Sequence, residues 1–179
     1  MDFKTIATET IYEGKVFDVR RDRVQMPNGR EVVLDIIDHP PAVTLVPVDD
    51  QGNILFVRQY RHSAGGEILE LPAGVKEEGE TPLECAEREI REETGMSAAS
   101  LQAIGEFHQV PGYSTEYMYV FLARDLQPNP LPGDDDEFIS VERYSIDRVY
   151  HMAQVGGIVD AKTLASLLLA IPYLRKTKD

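Results

Sequence analysis

Residues 74–96 read GVKEEGETPLECAEREIREETGM, and the rest of the chain is organised around them. The second half of this stretch spells a helix with both ends written in. Thr81 is a natural N-cap, Pro82 fits the first helical position, and Glu84 completes a capping box three residues after Thr81. Gly95 supplies a left-handed stop. Leu83, Ala86 and Ile90 recur at i, i+3 and i+7 and are expected to form the buried stripe. Glu89, Glu92 and Glu93 fall at i, i+3 and i+4 on a different face. Like charges at this spacing repel, and Arg88 and Arg91 are the only cations within the helix. A divalent metal is the simplest neutraliser. An all-oxygen donor set suits a hard cation such as Mg²⁺ or Mn²⁺, and no Cys/His cluster accompanies it to favour zinc.

The same stretch resembles the Nudix box: a glycine, five residues, Glu, seven residues, then Arg-Glu-aliphatic-x-Glu-Glu-x-Gly-aliphatic. Here these positions are Gly74, Glu80, Arg88, Glu89, Ile90, Glu92, Glu93, Gly95 and Met96, with Met96 a mild variant of the last aliphatic. The bland alternative is an acidic surface helix, but a signature with so many set positions is highly specific. The resemblance implies a Nudix α/β/α sandwich with a mixed sheet. It also implies metal binding by Glu89, Glu92 and Glu93, with Arg88 orienting them and Glu80 holding the loop.

Length and composition agree with such a domain. The 179 residues suit one domain with a small appendage, and the 42% apolar content is ordinary for a globular protein. A formal charge of −13 argues against general affinity for nucleic acid or anionic membranes. Such an enzyme can still take a phosphate ester if metal ions bridge the two negative partners. Cys85 is the single cysteine, which precludes an intramolecular disulfide and points to a reducing cytoplasm. Its expected role is packing rather than nucleophilic attack. The start, MDFKTIATET, does not read as a signal peptide, and no run approaches the length of a membrane span.

In chain order, residues 1–39 read as an antiparallel β arm and 40–179 as the catalytic domain. Strands are expected over 5–12, 15–26 and 30–38, with Pro27-Asn28-Gly29 as a hairpin turn. His39-Pro40-Pro41 marks the boundary, with His39 a turn residue. Further strands are expected over 42–48, 54–60, 67–71, 101–110, 116–123 and 138–144, and a Pro- and Asp-rich loop over 125–136. Two helices close the chain. The first covers 145–154; Asp160 caps the second, whose Leu164, Leu167, Leu168 and Ile171 make an apolar stripe expected in the core. His62, His108 and His151 have no metal-ligand spacing and read as structural, although His108 stands near Pro111.

Beyond the box, the chain resembles the ADP-ribose pyrophosphatase branch of the family. Pro111, about fifteen residues after the box, is its marker; FVRQYRH (56–62), GEILELPAG (66–74) and the leading strands are typical of it. That resemblance implies metal ligation by the Ala73 main-chain oxygen, Glu89, Glu93 and Glu137. It places Arg58, Arg61, Glu70, Glu116 and Pro111 near the substrate, with arginines gripping phosphate. The catalytic base is Asp135, Glu116 or Glu89. The alternative for 134–137 is a solvated acidic loop. The implied activity is metal-dependent hydrolysis of ADP-ribose to AMP and ribose 5-phosphate. Alternatives are another nucleotide sugar, a damaged nucleotide, or a non-catalytic ADP-ribose sensor. The sensor reading is disfavoured because every box carboxylate is kept. Arg20, Arg21 and Arg23 and the strand edges of the arm suggest a homodimer in which these arginines reach the partner's pocket.

Overall fold

The computed structural model describes residues 2–133 and 138–174. The chain divides into two compact units, one of Met1–Pro41 with Phe107–Tyr117 and one of Ala42–Glu106 with Met118–Asp179. The segment 107–117, which the sequence grouped with the catalytic domain, belongs to the unit of the arm.

The smaller unit is a three-stranded antiparallel sheet of β1 (Lys4–Tyr12), β2 (Asp18–Gln25) and β3 (Glu31–Asp38), in that order. Gly29, at φ +82°, makes the tight turn between β2 and β3, where its amide bonds the Met26 carbonyl at 2.8 Å. Polar cross-strand pairs replace a core here. Thr8 donates to Asp22 at 2.8 Å, and Arg21 donates to Asp35 at 2.8 Å directly across the β2–β3 ladder. The segment 113–115 adds to β3 through Ile37 N–H to Tyr113 O (2.8 Å) and Thr115 N–H to Ile37 O (3.0 Å). All nine residues of β1 are exposed.

The larger unit holds a mixed sheet and an antiparallel one. The mixed sheet runs β7 (Ala73–Val75), β4 (Ala42–Pro47), β9 (Tyr117–Pro128), β8 (Met96–His108), with β4 antiparallel to β7 and parallel to β9. The antiparallel sheet runs β10 (Ile139–Ser145), β5 (Asn53–Arg61), β6 (Gly66–Glu70). Among the described residues its α-helices are α1 (Pro82–Thr94), α2 (Ile146–Gln154) and α3 (Ala161–Leu174). β4 is buried at every residue, as its apolar run AVTLVP requires of a strand covered on both faces. Val43 and Leu45 point to one face and pack with Cys85, Ala86 and Ile90 of α1 and with Phe121 and Ala123 of β9. At about 1.5–3 kcal/mol for each buried large apolar side chain, this cluster anchors α1 to the sheet. Helices laid against sheets give the mixed α/β architecture that the element order implied.

Four local expectations are corrected. Leu83 is 44% exposed; Cys85 takes its place beside Ala86 and Ile90, since the buried face is centred on residues 85, 86, 89, 90 and 93 and Leu83 lies at its edge. On α3, Leu168 is 67% exposed, and the buried face is Lys162, Thr163, Ser166, Leu167 and Ala170. Polar groups on the sheet, described below, select that face over the leucines. β8 begins at Met96, and β9 continues to Pro128 rather than giving way to a loop at Asp125. The chain does turn locally there, with Asp125 at φ +55°, a left-handed conformation that aspartate tolerates. Beyond it the chain lies beside 95–97, where Asn129 N–H donates to Gly95 O at 2.9 Å and the Ser97 hydroxyl to Gln127 O at 3.4 Å, an example of tertiary context overriding weak strand propensity. Among the described residues no helix is long and apolar enough to cross a membrane.

Candidate active site

The α1 helix forms as its caps dictate. The Thr81 hydroxyl accepts from Glu84 N–H at 3.2 Å, the Glu84 carboxylate accepts from Thr81 N–H at 2.8 Å, and Gly95 closes the helix at φ +71°. Hung on this frame, Glu89 and Glu93 are buried and Glu92 is half-buried, along the seam with β7. The Glu89 carboxylate lies directly over Gly74, where a Cβ would come within 1.9 Å of it, so a glycine is required at that position. The Glu93 carboxylate accepts the Ala73 N–H at 2.9 Å.

Arg88 ties the seam together. Its Nε and Nη2 donate to Glu80 at 3.0 Å each, Nη1 donates to Glu89 at 2.5 Å and to Glu92 at 2.9 Å, and Nη2 also donates to the Val75 carbonyl at 3.0 Å. Hydrogen bonding to Glu80 above all, reinforced by Glu89 and Glu92, holds the guanidinium charged well beyond its already basic range. The same Arg88 bond keeps Glu80 below the usual carboxylate range. Glu80 in turn accepts the Glu77 N–H at 2.9 Å, and the Lys76 ammonium donates to the Glu80 carbonyl, closing the 74–80 loop. Burial raises the Cys85 thiol far above its ordinary pKa, which suits a packing residue rather than a nucleophile.

Donor chemistry decides whether this seam suits a cation. Its side-chain donors are carboxylates, it has main-chain carbonyls on β7, and no soft ligand beyond the buried thiol. That set fits a hard divalent ion. Among the described residues no three acidic, His or Cys side chains converge on one point. Arg88 stands among them and binds Glu89 and Glu92, in keeping with the orienting role that the resemblance implied, and it shares the neutralisation for which the sequence suggested a metal. Asp135 and Glu137 lie outside the described residues.

The substrate-side candidates fall into separate places. Strand alternation sends Arg58 and Arg61, three residues apart on a regular ladder, to opposite faces of β5. Arg58 Nε donates to Glu142 of β10 at 2.5 Å, and the Tyr144 hydroxyl donates to the same carboxylate. Arg61 grips Glu70 side-on through Nε (2.7 Å) and Nη2 (2.9 Å). Glu70 is 1% exposed. Burial raises its pKa, but the bonds from Arg61 and the charge of Lys162 outweigh burial and hold it below the ordinary value. Pro111, Glu116 and Arg20 belong to the smaller unit. There Glu116 N–H bonds the Ser114 hydroxyl at 3.2 Å, and Arg20 is held by Asp22 (3.2 Å) and Asp38.

Sequence reasoning missed Glu142, Lys162 and Thr163. Lys162 left a trace: a lysine in the first turn of a helix opposes the macrodipole, so its presence there calls for an acidic partner.

Fold and site together are a mixed α/β frame carrying a carboxylate-rich seam whose donors suit a hard cation. Residues 38–167 match the NUDIX domain, and residues 3–33 match the nucleoside diphosphate sugar hydrolase N-terminal domain. The chain belongs to the Nudix family, whose hydrolases are in general divalent-metal dependent. It is 38% identical to the ADP-ribose pyrophosphatase of Bacillus subtilis (strain 168) over 177 residues, covering 98% of this chain and 94% of that one. It is also 38% identical to the ADP-ribose pyrophosphatase of Mycobacterium tuberculosis (strain ATCC 25618 / H37Rv) over 170 residues, 93% of this chain and 82% of that one. A crystal structure of an ADP compounds hydrolase superposes with a TM-score of 0.87 at 25% identity, covering 97% of this chain and 95% of that one.

Proposed function

We propose that this Nudix hydrolase cleaves the pyrophosphate of ADP-ribose to AMP and ribose 5-phosphate, with Mg²⁺ as the working ion and Mn²⁺ able to replace it. The observation that carries the reading is the seam itself, where Glu80, Glu89, Glu92 and Glu93 outnumber the single guanidinium of Arg88. Glu89, Glu92, Glu93 and the Ala73 carbonyl would hold the ion, joined by Glu137. A bound divalent cation supplies charge neutralisation at the bridging and leaving oxygens and lowers the pKa of water. The protein's own part is orientation. Arg88 fixes the Glu89 and Glu92 rotamers, and the Ala73 N–H fixes Glu93. Arg61, and Arg58 from the other face of its strand, serve as phosphate contacts, with Glu70, Glu116 and Pro111 on the substrate side. The general base comes from Asp135, Glu116 or Glu89.

We further infer a homodimer through the β arm, with cytoplasmic residence. β1 exposes Ile6, Ile11 and Tyr12, with Phe3 exposed just before it, on a strand that has β2 on one edge. Arg20 and Arg21 are committed to aspartates of their own sheet, which weakens the idea that they reach a partner's pocket. A dimeric mass by light scattering is the expected result. A monomeric, fully active protein would remove the dimer.

The substrate test is a panel of nucleoside diphosphate compounds with Mg²⁺ and separation of products. ADP-ribose should give the highest kcat/KM. The likeness to an ADP compounds hydrolase keeps other ADP-linked diphosphates as the second reading, and a higher kcat/KM for one of them would install it.

A further inference from the structure

The α3 N-terminus carries a second charged cluster. Lys162 is 8% exposed, on the first turn of a helix whose dipole disfavours a cation. Its ammonium donates to Glu70 and, at 2.9 Å, to Asp160. Asp160 also accepts from Thr163 N–H at 3.0 Å and from its hydroxyl at 2.6 Å, so it caps α3 while orienting Lys162. Thr163 Oγ1 accepts the buried Leu71 N–H at 2.8 Å. Two consecutive α3 residues therefore grip two consecutive residues, Glu70 and Leu71, more than ninety positions earlier in the chain. Beyond them the chain passes through Pro72 into Ala73, whose amide holds Glu93. Back along β6, Glu70 holds Arg61 side-on, which turns the Nη1 edge of that guanidinium away from Glu70.

We propose that Lys162 is a positioning residue for phosphate recognition: it locks the Glu70 carboxylate, and Glu70 sets the direction of the Arg61 guanidinium. This rests on the reading above that Arg61 meets the substrate. A buried ion pair is weak evidence of stabilisation in itself, because desolvation offsets much of its attraction. Its geometric effect is stronger. With Lys162 present, Glu70 has a cation on each side and one rotamer. Without Lys162, only the half-exposed Arg61 stays bound to Glu70, and the two can swing together. A loosened phosphate contact weakens binding in the ground and transition states alike, which raises KM and leaves kcat.

The experiment uses the full chain with the nucleoside diphosphate compound that the wild type cleaves best. Lys162→Met, Lys162→Arg, Arg61→Ala and the Lys162→Met/Arg61→Ala pair are compared. Lys162→Met should raise KM about tenfold with kcat within about twofold, and Lys162→Arg should restore most of the affinity. In the Arg61→Ala background, Lys162→Met should add nothing, since the contact it positions is gone. An unchanged KM beside a lowered Tm, or the same KM penalty in both backgrounds, would overturn the proposal while Arg61 kept its role. An unchanged KM in Arg61→Ala itself would instead remove Arg61 from the substrate site, and the proposal with it.

Discussion

Two charged clusters face each other in design. At α1, one guanidinium stands against the four carboxylates of Glu80, Glu89, Glu92 and Glu93. At the start of α3, the two cations Arg61 and Lys162 stand against the two carboxylates Glu70 and Asp160. Both are partly buried; the first ties the 74–80 loop to the helix that follows it, and the second joins β6 to α3 across more than ninety residues. The balanced cluster closes on itself and can do its work as a brace. The unbalanced one carries more carboxylates than the guanidinium alone neutralises, an excess that a bound hard cation would meet. Charge imbalance, rather than burial or the number of ion pairs, separates a site from a strut.

The largest expected effect comes from removing one surplus carboxylate. Glu93→Gln keeps the shape and should keep the fold, while activity falls by roughly a thousandfold, about 4 kcal/mol of barrier. Steady-state kinetics across a Mg²⁺ titration measures it. An unchanged rate at saturating Mg²⁺ would put the surplus charge outside the chemistry and break the comparison.

Removing the guanidinium comes next. Arg88→Met leaves Glu80, Glu89 and Glu92 without their common partner and should lower stability by roughly 2 kcal/mol. Millimolar Mg²⁺ should recover much of that loss, since a ligand of the folded state stabilises by mass action. Thermal melts with and without Mg²⁺ read both numbers. If Mg²⁺ gave no more protection to Arg88→Met than to the wild type, the seam would not be acting as a cation site.

The smallest effect belongs to the balanced cluster. Glu70 has a folded-state pKa below its ordinary value, so its contribution is fully present above about pH 4.3, the unfolded carboxylate value. It is lost as pH falls from there through the lowered folded value. Urea midpoints between pH 7 and pH 3 should therefore drop less steeply on the acid side in Glu70→Gln than in the wild type. Parallel curves for the two proteins would show that Glu70 takes no part in acid destabilisation.

Much of this was legible before any coordinates. The capping box of Thr81 and Glu84, the Gly95 stop and the spacing of the glutamates are local signals, and each acts within a turn or two of backbone. The hairpin at Gly29 and the cap at Asp160 belong to the same class. Periodicity was less dependable where a helix meets a polar surface. The leucine stripe of α3 looked like core, yet Leu168 is exposed, and Lys162 and Thr163 turn inward. What selects that face is the Glu70 carboxylate and the Leu71 N–H, groups that pattern analysis of α3 cannot include.

By itself, then, the sequence determined the α1 helix with its ends, the face that its carboxylates share, the three strands of the arm with the hairpin between the last two, and membership of a hydrolase family. These rest on interactions between neighbours in the chain or on a dense motif. Tertiary structure decided that Arg88 joins Glu80, Glu89, Glu92 and the Val75 carbonyl at once, and that Gly74 must lack a side chain because Glu89 lies over it. It also decided that α3 braces the strand leading to Ala73. The α3 brace joins partners 92 residues apart, and the nearer contacts of Arg88 and Gly74 depend on how the 74–80 loop folds back on α1; such pairings are chosen by packing and buried polar satisfaction, not by local propensity.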